Sequence, residues 1–402
     1  MIRHSSHFGT KRTHRVARCR NGGGIYRWWE RRWSERDGGG DRGGLAATYE
    51  VAAQFDRALE RVRVAAQQRD VDAVWDLLHE TAYRADAAYD LATVRLSSPD
   101  PAARMLAVDL LGVLGDARTE MRPAVARALC GAAVGETDAD VQLALARSCG
   151  ASKDPGCLPA LFGLAGHTSA EIRRTVAEAM AWALLDDPAG PGIDLLIEMT
   201  RDDDPEVRNW ATFSLGWQLA VDSDIVRAAL WERIEDPYPE VREEAARGLA
   251  RRRDRRATPY IAALLARDDA HVHTFDAAAF LHEPALLPLL GKFNAIDHGV
   301  GEALLECDPI ARAKRDDLAW QLFATLARRW PELPVALYND RFELGTYLDV
   351  APLPDASVGW APPETAGYLV EAVLARAGGD VDRAADIVVE DLLADIGALN
   401  DE

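Results

Sequence analysis

Residues 202–216 read DDDPEVRNWATFSLG and residues 235–250 read EDPYPEVREEAARGLA, so the tetrapeptide PEVR at 205–208 returns at 239–242. Self-similarity at a fixed period is the signature of stacked repeats and decides a fold before any residue-level argument. The aliphatic-then-polar step of PEVR serves as an anchor. It recurs at Ala103-Arg104, Val141-Gln142, Ile172-Arg173, Val207-Arg208, Val241-Arg242 and Val272-His273, with successive spacings of 38, 31, 35, 34 and 31 residues. Four residues after each anchor stand Ala107, Leu145, Val176, Ala211, Ala245 and Asp276. Nine after stand Gly112, Gly150, Ala181, Gly216, Ala250 and Leu281, mostly small.

Each copy begins with an Asp or Ser three residues before its anchor (Asp100, Asp138, Ser169, Asp204, Asp269), suited to cap a helix, with Pro101 or Pro205 at the favoured first position. Apolar residues then recur at helical spacing until the small residue. After a polar break comes a second apolar segment, such as IDLLIEMT at 193–200, IVRAALWERI at 225–234 or PYIAALLA at 259–266. The unit is a helix pair that cannot bury its apolar face alone, so neighbours must stack.

DPEVRNWATFSLG and PEVREEAARGLA resemble the short HEAT-like repeat named after the phycobilin lyases, over about residues 96–295. The resemblance implies an all-α fold, a right-handed α-solenoid (superhelix) of antiparallel helix pairs, with first helices outside and second helices lining a concave face. Proteins of this kind include chromophore lyases, a diiron hydroxylase and many scaffolds. The repeat signature holds structural positions only, so no catalytic residue carries over. Ala103 in the first copy, and His273 and Asp276 in the last, depart from the pattern, as end repeats do.

The organisation expected is a basic Gly/Arg/Trp-rich disordered tail over 1–44, helices capping the array over 45–95, the repeats over 96–295, and further helices continuing the array over 296–350. A Pro-rich loop over 351–363 and a helical hairpin over 364–402, turning at Gly378-Gly379, complete it. That hairpin faintly resembles the ubiquitin-associated helical fold; a cap over the exposed end of the solenoid is the reading preferred.

The formal net charge is −19. Residues 1–44 hold eleven Lys/Arg and four Asp/Glu, a local +7, which leaves −26 on the remainder. So acidic a body repels nucleic acid and anionic lipid, and its partner should be a neutral or basic protein. Nucleic acid is expected only through the basic arm of 1–44, whose Trp and Arg side chains could stack on bases. The five cysteines form no Cys-x-x-Cys pair and suit a reducing cytoplasm. No apolar run is long enough to span a bilayer, and the basic start lacks the apolar stretch of a signal peptide. Richness in Ala, Arg and Gly points to a G+C-rich genome, hence a bacterium.

Two sets of side chains invite a role. Arg104, Arg173, Arg208 and Arg242 form a column, read as a structural ladder to the acidic turns of neighbouring repeats rather than as an anion-binding stripe. Trp182, Trp210, Phe213, Trp217 and Trp231 are the candidate partner-binding residues. Helical geometry predicts that Trp210 or Trp217 packs on Arg173 or Arg242, with Trp231 the best placed for the concave face. His271, His273, His282 and His298 gather near Glu283, Asp297 and Cys307, but without zinc-motif spacing. His79-Glu80 and His282-Glu283 resemble the His-Glu pairs of the diiron hydroxylase, which needs four. No nucleophile elbow, phosphate loop or dinucleotide fingerprint is present.

The sequence thus leads to a scaffold with no catalytic residue, no metal site and no cofactor, binding a protein on an acidic concave surface. The alternatives are a chromophore-lyase-like enzyme holding a tetrapyrrole-type ligand in the groove, and nucleic-acid binding through the basic arm.

Overall fold

The computed structural model describes residues 50–61, 71–184, 190–339, 342–350 and 366–400. The expected tail of 1–44 and Pro-rich loop of 351–363 lie outside the described residues. The chain forms two compact units, a larger one of Gly44–Gln321 with Tyr338–Thr346 and a smaller one drawn from Leu322–Leu337 and Tyr347–Glu402.

The larger unit is an α-solenoid. Helices α1 (50–61), α2 (Val71–Ala82) and α3 (Ala85–Arg95) precede the repeats. The anchor helices are α4 (Pro101–Ala117), α6 (Ala139–Ala151), α8 (Ala170–Ala183), α10 (Pro205–Phe213), α12 (Pro239–Arg251) and α14 (Val272–Leu281). They alternate with the second helices α5 (Arg122–Ala133), α7 (Leu158–Leu164), α9 (Pro191–Met199), α11 (Asp224–Arg233), α13 (Thr258–Leu265) and α15 (Leu287–Leu290). Helix α16 (Val300–Cys307) stands beside α14, and α17 (Pro309–Arg329) follows, its last turns belonging to the smaller unit.

The caps show why the anchor helices start where they do. Asp100 accepts from the Ala102 N–H, Asp138 from Asp140 and Val141, and Asp204 from Glu206 and Val207, each satisfying donors that no earlier turn can reach. Ser169 makes no side-chain cap, and α14 begins at His271 rather than at Asp269.

Small residues set the spacing of the anchor layer. A Cβ on Gly112 would stand 2.8 Å from the Ser148 Cβ, one on Gly150 2.9 Å from the Ala179 Cα, and one on Gly248 2.7 Å from the Gly216 Cα. The residue nine after one anchor therefore meets the residue seven after the next, with backbones nearly touching. Neighbouring anchor helices pack along their length, whereas neighbouring second helices beyond α7 barely meet. A stack bends toward its more closely spaced layer, so the anchor helices line the concave side. This reverses the arrangement that the family resemblance implied.

One interior arginine locks the middle of this layer. After α10 the chain makes a π turn over Ser214–Gln218, which loosens the helical hydrogen bonding. Arg252, fully buried, donates to the carbonyls of Gly216 (2.6 Å), Leu215 (2.7 Å), Gly248 (2.9 Å), Val221 (2.9 Å) and Leu219 (3.4 Å). Buried carbonyls without donors are costly, so this guanidinium is what makes the turn tenable.

The region beyond the repeats differs from the all-helical continuation expected. Strands β1 (Val335–Tyr338), β2 (Tyr347–Val350) and β3 (Ala366–Leu369) form a sheet in that order. Strands β2 and β3 run antiparallel, Tyr347 facing Leu369 and Val350 facing Ala366. Short runs rich in Val, Tyr and Leu favour strand pairing but are too brief to betray a period. Helices α18 (Val370–Arg376) and α19 (Val381–Asn400) follow, joined through Gly378 and Gly379 at φ 64° and 83°, values only glycine adopts freely.

The close approach at Gly248 yields a paired prediction. Gly248→Ala should destabilise the array by about 1–3 kcal/mol, because the Gly216 backbone cannot yield. Gly163→Ala, in α7 where a Cβ meets nothing within 4 Å, should stabilise by about 0.5–1 kcal/mol through helix propensity. Urea unfolding of the two variants checks both signs.

Candidate interaction face and terminal cleft

Three of the four column arginines make one repeated set of bonds. Their Nη1 turns back to the carbonyl six residues earlier: Arg104 to Ser98 (3.0 Å), Arg173 to His167 (2.9 Å), Arg208 to Asp202 (2.9 Å). Their Nε and Nη2 fork onto the carboxylate that opens the next repeat. Arg104 reaches Glu136 at 2.8 and 3.0 Å, Arg173 reaches Asp202 at 2.8 Å twice, and Arg208 reaches Asp236 at 3.0 Å twice. These are bidentate, charge-assisted bonds, and the Asp236 side chain is only 1% exposed, so solvent screens them weakly. Where Gln142 replaces the arginine, His167 replaces the next carboxylate and accepts from the Ser169 N–H instead. Arg242 keeps the carbonyl bond to Asp236 (2.7 Å), but Asp269 is held by Arg267 at 2.8 Å. Among the described residues Arg242 grips no carboxylate.

The aromatics gather on the anchor layer. Trp210 and Phe213 meet edge to face at 5.8 Å, and Trp217 meets His273 at 5.5 Å and Phe280 at 6.0 Å. The cations over these indoles are Arg174 on Trp210 (6.0 Å) and Arg251 on Trp217 (5.6 Å), not the Arg173 and Arg242 that the helical wheel predicted. The reason is local. Arg173 and Arg242 are turned back onto their own turns, and the π turn shifts Trp217 out of α-helical phase. Trp182 lies under Lys153 at 5.6 Å. Trp231 belongs to the second-helix layer, edge-on to Tyr260 at 6.3 Å and under Arg256 at 4.6 Å.

Charge surrounds the aromatic group. Arg247, only 4% exposed, bonds Glu244 (2.7 Å), Glu243 (3.0 Å) and His271 (3.0 Å). Burial pushes the Glu244 carboxyl up despite Arg247. His273 is pulled down to about 4, chiefly by burial and then by the nearby Arg247 charge, so at neutral pH it is an uncharged ring against Trp217. Phe342, in the 338–346 segment, lies under Arg251 at 5.2 Å and Arg252 at 5.8 Å.

A polar cleft of about 190 Å³ lies at the end of the array, lined by residues that include His282, Glu306, Arg312, Arg315 and Asn339. Glu306 is nearly enclosed. His282 Nε2 stands 3.1 Å and Arg315 Nη1 2.8 Å from its two oxygens. Burial alone would raise this carboxyl, but those two bonds outweigh it and hold it below its ordinary value. The remaining members of the His/Cys group are dispersed: Cys307 bonds the Ala278 carbonyl at 3.2 Å, and among the described residues no three His, Cys, Asp or Glu side chains converge as metal ligands. Nor is any described helix long and apolar enough to cross a membrane.

The sequence reading passed over Arg312, although DPIAR at 308–312 copies DPAAR at 100–104. It also could not foresee Phe342, which reaches Arg251 across a long stretch of chain.

The stacked helix pairs, with their capped and arginine-clamped anchor helices, form an α-solenoid, and the model of the HEAT repeats family matches residues 126–216 and 193–281 within it. Among known proteins the chain is similar to Protein YibA of Escherichia coli, 35% identical over 122 residues. That stretch is 30% of this chain and 42% of YibA, so it spans less than half of the curated relative's length. The X-ray structure of YibA aligns with 67% of this chain and 98% of its own at 21% identity and a TM-score of 0.48. The CpcE–CpcF complex of phycocyanin lyase from Nostoc sp. aligns with 54% of this chain and 85% of that one, at 18% identity and a TM-score of 0.36.

The ladder predicts an acid dependence. The Arg104 fork holds the Glu136 carboxyl at about 2, against an ordinary 4.5. A carboxylate depressed on folding stabilises fully above its unfolded value, and the contribution disappears as pH falls through the folded one. The stability gap between wild type and Glu136→Gln should therefore be widest at pH 6 and close between pH 4.5 and 2. Urea titrations across that range test it.

Proposed function

We propose that this protein is a non-catalytic cytoplasmic scaffold that holds a neutral or basic protein against the concave face of its anchor helices. The observation that carries the reading is two half-buried aromatic sites on the anchor layer, Trp210 edge-on to Phe213 under Arg174 and Trp217 edge-on to Phe280 under Arg251. Rigid aromatics of this kind are the side chains on which protein interfaces concentrate their binding energy, because they enter the complex with little entropy left to lose. The strongly acidic body supports a neutral or basic partner and disfavours nucleic acid.

The test is native mass spectrometry of the protein purified gently from its own host after brief crosslinking. Wild type should carry an additional chain. Trp210→Ala with Trp217→Ala should lose it at least tenfold, since truncating two anchors removes roughly 4 kcal/mol or more. A wild-type protein with no added chain, or a double variant that keeps it, would sink the scaffold. A small coloured adduct in its place would favour an enzyme of the chromophore-lyase kind.

A further inference from the structure

The array states what an arginine in the column position binds. At Arg104, Arg173 and Arg208 its Nη1 closes on the carbonyl six residues back, and its Nε–Nη2 edge takes a carboxylate from the next repeat. Arg312 is a further member of the series. It follows the Asp308 cap and Pro309 as Arg104 follows Asp100 and Pro101, and it donates to the Glu306 carbonyl six residues back. No repeat follows to supply its carboxylate. Among the described residues its only hydrogen-bond acceptor is that carbonyl, and it stands in no ion pair.

Arg312 lines the terminal cleft together with Arg253, Arg315, His282 and the Asn339 amide. Three carboxylates face them, Glu306, Asp316 and Glu343. Glu306 is committed to Arg315 and His282, and Asp316 lies 2.6 Å from the Arg315 Nε. Arg315, 5% exposed, is thereby a rigid wall, and Arg312 and Glu343, neither of them in an ion pair among the described residues, are left facing the space. A volume of about 190 Å³ is that of roughly six water molecules, enough for a small organic acid and too small for a folded element.

We propose that the cleft binds a small carboxylate, whose two oxygens occupy on Arg312 the place that Glu136, Asp202 and Asp236 occupy on the arginines before it. The array would then end on a ligand instead of a repeat. This site is independent of the protein-binding face.

Isothermal titration of the full chain at fixed ionic strength tests the proposal with succinate as probe and succinamide as its uncharged counterpart. Succinate should bind and succinamide should not. Arg312→Gln should weaken succinate at least tenfold, whereas Arg242→Gln, at the other rung without a carboxylate, should leave it unchanged. Arg312→Lys keeps the charge and the reach to the Glu306 carbonyl but cannot fork. It should fold as wild type and still lose most of the affinity. A short peptide assayed with a free and with an amidated C-terminus separates a metabolite from a chain end as the source of the carboxylate. Absence of binding by both succinate and the free-acid peptide, or binding that survives Arg312→Gln, would overturn the assignment.

Discussion

Every repeat of this solenoid must solve the same problem. The turn entering its anchor helix carries exposed carbonyls and a helix N-terminus, and it must also hold the neighbouring repeat in register. One arginine meets both needs, tying down its own turn through Nη1 and the next turn through its fork. The carboxylate it grips is itself fixed by a backbone N–H, as when Tyr238 donates to Asp236. The fork is therefore preorganised, and little side-chain entropy is lost in forming it. Where Gln142 stands in the arginine's place it keeps the bond to the carbonyl six residues back, and the following turn holds His167, which accepts from the Ser169 N–H.

Packing and polarity divide the work between the ends of the anchor helix. Near its start the arginine fork sets alignment; near its finish glycine and alanine let backbones touch. Between them the layer forms a surface dense in aromatic and charged groups. Arg252 shows how far this goes, since a fully buried cation is retained where a loosened helix leaves carbonyls to satisfy. The same π turn gives Trp217 its aspect toward His273, Phe280 and Arg251.

The repeat and its helix pairs were legible because an anchor, a cap and a small residue recur together, and each has its own physical reason. The fork could be read in outline, since arginines and acidic turns alternate along the chain. Its interruption at Arg242 could not, because the competing bond from Arg267 depends on the geometry of one turn. The Trp–Arg pairings went astray for a related reason. An extra residue inside a helix leaves the hydrophobic pattern intact while rotating everything beyond it. Assigning the second helices to the concave face followed from the family resemblance, and it failed because only the spacing of the two layers decides which is inside. The strands escaped notice because four residues are too few to show a period.

The unequal spacing of the two layers also has a mechanical side. On the concave side, atoms already stand at contact distance, Gly216 against Gly248 above all. On the convex side most second helices touch their neighbours little. Such a body resists further curling with the hardness of atomic repulsion, yet it can uncurl against nothing stiffer than side-chain contacts. It behaves as a spring with a stop at one end, able to widen around something large and unable to tighten around something small.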